Sequence, residues 1–336
     1  MQVPGSESMK DLVKSTILSS GLLRLISPGA SAAILMYHSV MENPSQHADS
    51  LGGIIHSKSE FRAQMELLAR DYHPLSLEDV VMKLNAGEVL PTRSVVITFD
   101  DGYTDNFEVA MPILNQLGVP ATFYVTVDCV EKRKLPWPSR LRFAFRTTKR
   151  PRWTDARAES WNLCNPESRE QAYLAACDDC CQLAGATQEE FVTSAEKQLQ
   201  SRVPDDFNSL MMTFDQVRGL VRNNHIVGSH TMTHPNMAHV NECDAEIELV
   251  ESKRTLEAEL KIPIPHFSYP CPALTPHWSE RTVAQSRAVG YSSAVTTNGG
   301  VVRDGDNPFS LKRIRPTKTA AGLRWNLECA FAGRTV

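Results

Sequence analysis

Short, wholly apolar runs alternate with amphipathic stretches along most of this chain. Ala33-Ile-Leu-Met-Tyr37 ends at His38, Val95–Phe99 ends at Asp100, and Ala121–Val127 repeats the pattern. Runs of this length without polar alternation predict strands buried on both faces, as in a parallel sheet. Helix-period segments lie between them. Ser59–Arg70 gathers Phe61, Met65, Leu67 and Leu68 on one face with Ser57 or Ser59 as N-cap, Leu77–Leu84 is shorter, and Phe107–Leu117 stops at Gly118 and Pro120. The same order resumes after residue 210. Helices are predicted over Phe214–Arg222, Ala245–Leu260 and Trp278–Val289, and strands over His225–Ser229, His266–Tyr269, Tyr291–Thr296 and Phe309–Ile314. Strands joined by single helices run parallel through right-handed crossovers. The expectation is an α/β barrel, its first part in residues 31–130 and its second part, with a C-terminal helix, in 211–336.

Residues 131–210 break that rhythm. They hold Trp137, Trp153, Trp161, Pro136, Pro138, Pro151 and the cluster Cys177-x2-Cys180-Cys181, with helical patterns after Glu167 and Gln188. This segment reads as a helical insertion at a strand exit, a lid or substrate wall. Its cysteines lack a second Cys/His pair at zinc spacing and read as buried thiols. Its tryptophans read as the core of the insertion rather than as platforms for sugar rings. Residues 1–30 form a third unit. Within it, residues 9–26 make an amphipathic pattern too interrupted by Lys10, Asp11, Lys14 and Arg24 to span a membrane. Packing on the domain is the expected use, and peripheral contact with a membrane surface the functional alternative.

Composition narrows the class. A chain of 336 residues, 42% hydrophobic with a net charge of -4, suits one large domain with an insertion and not a nucleic-acid binder. Eight scattered cysteines and no clear signal peptide point to the cytoplasm, with a peripheral place at the inner membrane surface if residues 9–26 take the alternative use.

The chemistry sits at the strand ends. Asp100 and Asp101 follow Ser94–Phe99 directly, and two adjacent carboxylates repel unless a cation absorbs them. His230-Thr-Met-Thr-His234 follows another predicted strand and offers two imidazoles. One carboxylate with two histidines makes a three-ligand site with room for water. Asp101, His230 and His234 are therefore the expected metal ligands, and Asp100 the base. Zinc suits this donor set first, with cobalt, nickel, manganese or iron(II) as other occupants. His38 is the expected general acid, since imidazole is the usual proton donor near neutral pH. The same two-histidine, one-carboxylate set also serves non-haem iron oxygenases, so that class stays open, as does a non-catalytic carbohydrate-binding scaffold.

Thr98-Phe-Asp-Asp-Gly102, Ser229-His-Thr-Met-Thr-His-Pro235 and Phe267-Ser-Tyr-Pro270 resemble the first three motifs of the polysaccharide deacetylases, the NodB-homology group or carbohydrate esterase family 4. Leu35-Met-Tyr-His-Ser-Val40 is similar to the subgroup of exopolysaccharide loci. The resemblance implies a distorted, incomplete (β/α) barrel and hydrolysis of an N-acetyl group on an amino sugar, with an N-acetylated carbohydrate as partner. It gives Asp100 the role of base, Asp101, His230 and His234 the metal, and the backbone N–H of Cys271 the oxyanion. Two departures stand out. The arginine expected in the third motif is replaced by Ser268, leaving Arg313 or Arg315 of the last strand to tether the base, and no late Leu-x-x-His motif is present, which turns the general-acid role toward His38.

Overall fold

The computed structural model describes Thr16, Leu18 and residues 29–334. Most of the amphipathic segment 9–26 thus lies outside the described residues. Among the described residues, no helix is long and apolar enough to cross a membrane.

Eight strands form the main sheet path: β1 (Ser31–Tyr37), β5 (Ser94–Phe99), β6 (Ala121–Val125), β9 (Ile226–Ser229), β10 (His266–Ser268), β11 (Ser293–Gly299), β12 (Val302–Arg303) and β13 (Leu311–Arg313). Their spatial order is β12-β1-β5-β6-β9-β10-β11-β13, and the two-residue β4 (His73–Pro74) pairs with β5 beside this path. Every pairing along it is parallel except β1 with β12. The sheet nearly closes on itself, because Met36 N–H donates to Ile314 C=O (3.0 Å) and Ile314 N–H to Ile34 C=O (2.8 Å). Closure is imperfect. β9 and β10 share a single register pair, and the register of β11 on β13 shifts between Val295 and Gly299. The expected distorted (β/α) barrel is the observed fold.

Apolar side chains fill both faces of this sheet. Phe99 stacks on Phe123 at 4.8 Å between ring centres, and Tyr37 meets Phe61 edge-on at 5.2 Å, which locks helix Lys58–Asp71 against the strands. That helix begins with the reciprocal bonds of Ser57 and Glu60, two otherwise unpaired N–H groups being satisfied at once. At Gly228 an added Cβ would lie 2.5 Å from the Tyr124 ring and 2.9 Å from the His266 carbonyl, so only glycine lets β9 lie this close to its neighbours.

Several expectations need correction. The segment 131–210 is not purely helical: between helices Trp137–Thr147 and Pro166–Cys180 lies an antiparallel hairpin, β7 (Arg152–Thr154) with β8 (Ser160–Asn162), on which Trp153 faces Trp161. Three-residue strands are too short to leave a period in the sequence. The helix predicted over Phe107–Leu117 opens as a π turn, Asn106–Ala110, before Met111–Leu117. Pro112 lacks the N–H that would bond the Glu108 carbonyl in an α-helix, and the wider turn follows. A small parallel pair, β2 (Ser39–Met41) with β3 (Ile55–Ser57), was not anticipated and extends one rim of the barrel. The insertion's own core holds Trp137, Phe145, Trp153, Cys177, Cys180 and Cys181, all buried and all thiols free.

Candidate active site

Register brings the site together. Tyr37 pairs with Phe99 across β1 and β5, so His38 and Asp100 leave adjacent strands at the same level, where Asp100 N–H donates to Tyr37 C=O (3.0 Å). Phe99 pairs with Phe123, and Val125 with Ser229, which puts His230 at the next strand end round the barrel. Ser268 ends β10 and Arg313 ends β13. One rim of a parallel barrel thus collects the polar residues, where such folds carry ligands.

Asp101 turns with φ 76°, and His234 with φ 65°, both in the left-handed region that non-glycine residues enter at a cost of about 1–3 kcal/mol. The turns aim three ligands at one point. Asp101 Oδ1 lies 3.3 Å from His234 Nε2 and 3.5 Å from His230 Nε2, and one ligand atom from each residue falls within 4.8 Å of the others. His230 Nδ1 sits 2.8 Å from the Ser268 carbonyl, which can only accept, so this nitrogen carries the proton and Nε2 presents a lone pair. Asp101 Oδ1 is buried without a hydrogen-bond partner. Two imidazole Nε2 atoms facing a buried, unpartnered carboxylate oxygen fit a divalent cation and little else. Burial raises the Asp101 carboxyl, but the close imidazoles, His234 first, outweigh it and hold it below its ordinary value. Burial holds His230 down at about 4.

The loop bearing these ligands is tied from three sides. Glu248, buried on helix Glu242–Leu260, accepts from Met232 N–H (2.7 Å) and Thr233 N–H (2.9 Å). Thr231 Oγ1 accepts from His234 N–H (2.9 Å), and Trp137 Nε1 of the insertion donates to His234 C=O (2.9 Å). Sequence reading missed Glu248 and this use of Trp137. The signal for Glu248 was there, since an acid between Ala245 and Leu249 falls on the face of the helix that is otherwise apolar.

Asp100 is held differently. Arg313 is 1% exposed and donates from Nη1 to Asp100 Oδ1 (2.8 Å) and from Nη2 to Asp100 Oδ2 (2.7 Å). Its remaining donors meet Thr98 Oγ1 (3.3 Å), Ser268 Oγ (3.1 Å) and Thr296 C=O (2.8 Å), so all five N–H groups are used. Ser268, which stands where the third motif expects arginine, is small enough to leave room for Arg313 and also bonds Asp100 Oδ1 (3.3 Å). Burial raises the Asp100 carboxyl, but the Arg313 charge overrides it, and the group stays ionised below its ordinary range. Arg315 does not join this pair and instead lines the cavity above.

That cavity, about 550 Å³, is floored by Asp100, Asp101, His230 and His234, with His38 and Cys271 beside them. Its size suits a small organic ligand or a few sugar units' worth of surface. Burial lowers His38 against the pull of Asp101 and Asp100, so the resting imidazole is neutral. Among the described residues, the Cys271 N–H meets no protein acceptor, while its Sγ lies 2.7 Å from His277 Nε2. The insertion closes one side with Pro136, Pro138, Ser139, Arg142 and Tyr173.

A family model described as polysaccharide deacetylase matches residues 87–162 and 185–294, more than half of the chain. YxkH of Bacillus subtilis, whose name assigns it to the polysaccharide deacetylases, is 35% identical over 97 residues, 29% of this chain and 32% of YxkH. The chain thus spans about a third of the length of that relative. The deacetylase PplD of Streptococcus pyogenes, solved in complex with acetate, superposes with a TM-score of 0.60 at 19% identity, over 89% of this chain and 99% of PplD. IcaB of Ammonifex degensii gives 0.58 at 17%, over 89% and 97%. At these identities the two structures share the fold.

Proposed function

The chain belongs to the polysaccharide deacetylase family, and on that premise we propose that it hydrolyses the N-acetyl group of an amino sugar in a glycan with the help of a divalent metal. The observation that carries the reading is the pairing of unlike neighbours: Asp101 faces the Nε2 atoms of two imidazoles, while Asp100, next in sequence, is kept ionised by a fully bonded arginine. Two carboxylates so close hold separate roles only when their environments are this different.

Asp101, His230 and His234 would hold the cation, zinc being the first choice for this donor set, and when bound it supplies the Lewis acidity that polarises a carbonyl and acidifies water. Asp100 accepts the proton of the attacking water on a carboxylate oxygen, and Arg313 fixes the plane of that carboxylate. The new C–O bond forms as the acetyl carbonyl becomes tetrahedral. The Cys271 N–H donates to the oxygen that gains charge, a contribution of about 3 kcal/mol for one well-placed donor. His38, after taking up a proton from solvent, delivers it to the amide nitrogen, the C–N bond breaks, acetate and a free amine leave, and Asp100 returns its proton to solvent.

An oxygenase has no use for an ionised second carboxylate locked to arginine, and a binding module gains nothing from the desolvation cost of that buried pair. The test is acetate release from a panel of N-acetylated glycans by metal-reconstituted protein. Asp100→Asn should lower the rate by about 10²–10⁴-fold. A variant as active as the parent on the best substrate would remove Asp100 from the mechanism.

A further inference from the structure

We propose that the cavity is built for an anionic N-acetylated glycan, one with a phosphate or carboxylate group close to the acetamido sugar. This rests on the deacetylase reading and narrows its substrate class.

The charges around the cavity carry the inference. Arg142, Arg315 and Lys318 all line it, and the only carboxylates among its lining residues are Asp100 and Asp101. Those two are committed, Asp100 to Arg313 and Asp101 to the ligand set. Among the described residues, exposed Arg315 makes no ion pair. Lys318 Nζ donates to the carbonyls of Gly53 and Ile55, which position it without neutralising it. Arg142 meets one carboxylate, Glu170, at 3.6 Å, and its Nε is buried with no hydrogen-bond partner. The net charge of the chain is -4, so this concentration of positive charge is local and not a reflection of a basic protein.

A second observation points to the same ligand. His56 is 4% exposed and lines the cavity, and apart from the Thr317 backbone nearby neither ring nitrogen has a well-formed hydrogen-bond partner. A buried, unpaired imidazole is costly unless a ligand supplies the missing bond. Two guanidinium groups, an ammonium and an imidazole with one spare N–H match the acceptor oxygens of phosphate or carboxylate. A neutral sugar polymer would leave the same charges uncompensated in a half-enclosed site. Uncommitted charge of one sign in a cleft also speeds capture of an oppositely charged substrate, and salt weakens that effect.

The experiment compares three probes on the metal-loaded full chain: a tetramer of N-acetylglucosamine, a tetramer alternating N-acetylglucosamine with glucuronate, and N-acetylglucosamine 1-phosphate. Acetate release and calorimetric binding are both read. At least one anionic probe should exceed the neutral tetramer in kcat/KM by about tenfold at low salt, equivalent to 1.4 kcal/mol, and the advantage should shrink as salt rises. Arg315→Gln and Arg142→Gln should each bring that ratio close to one, mainly through KM, whereas Lys149→Gln, on the exposed surface, should leave it alone. Whichever anionic probe wins identifies the acidic group. Equal turnover and binding of all three probes, or a ratio indifferent to Arg315→Gln, overturns the inference while leaving the deacetylase reading intact. No acetate from any probe sinks that reading instead, and calorimetry then decides the subsite: anion binding that depends on Arg315 supports it, and its absence ends it.

Discussion

At the floor of the cavity, Asp100, Asp101, His230 and Arg313 leave strand ends, are almost wholly buried, and commit their polar atoms to one another or to a metal. Along the wall, Arg142 reaches in from a helix of the insertion and Arg315 and Lys318 from the segment after β13, and their charge is largely uncommitted. The difference separates two jobs. A hydrogen-bonded ladder fixes the reacting groups to a fraction of an ångström, which chemistry needs. The side of the wall that bears Arg142 is set by the insertion's own small core, and it can change in sequence and charge without disturbing the ladder beneath.

The sharpest way to break this division is at the floor. Asp101→Ala removes one ligand and should abolish stoichiometric metal binding, with acetate release falling to that of metal-stripped protein; retention of the metal would show that the ligand set is misassigned. Next comes the ion pair. Arg313→Met strands a buried carboxylate and should cost about 3–5 kcal/mol of unfolding free energy in a denaturant titration. Arg313→Lys keeps the charge but loses the fork, so it should recover much of the stability and little of the rate. Equal stability of the two variants would mean that Asp100 is not charged in the folded protein.

The same contrast explains what could be read in advance. Asp100, Asp101, His230 and His234 stand in short motifs beside long apolar runs, and strand periodicity places such residues at one rim before any coordinates exist. Arg313 was legible only as one of two candidates, because residues 313 and 315 would share a face of a continued strand and the choice turns on where β13 ends. Ser268 looked like a defect in its motif and is the space that Arg313 fills. Arg142, Tyr173 and His56 were invisible as site residues. Nothing local marks them, since Arg142 and Tyr173 reach the cavity through the packing of the insertion around Trp137, Phe145 and the buried cysteines, and His56 through the short β3 against Tyr37, contacts that no short-range pattern encodes.

Two smaller effects sharpen the comparison where wall and floor touch. Trp137→Phe keeps the insertion's core but removes the bond from Nε1 to the His234 carbonyl. It should cost about 1 kcal/mol of stability and weaken metal affinity by about tenfold, measured by chelator competition. An unchanged affinity would mean the insertion does not steady the ligand loop. The mildest effect concerns Asp105, which accepts from Ser39 Oγ (2.6 Å) beside His38 and from Asn106 Nδ2 (2.9 Å). Burial pushes its carboxyl up to about 7. Its unfolded value is about 3.9, so the folded state binds the extra proton, and the associated stability is full below that value and lost as pH rises through 7. Asp105→Asn should therefore lose less thermal stability than the parent between pH 5 and pH 8, and parallel melting curves would contradict the assignment.

The left-handed turns at Asp101 and His234 set function against endurance. Glycine would relax either backbone and discard a metal ligand in the same step. A mutant library screened only for survival on heating should thus enrich these two positions for inert proteins, and any campaign to harden this fold has to select for turnover at every round.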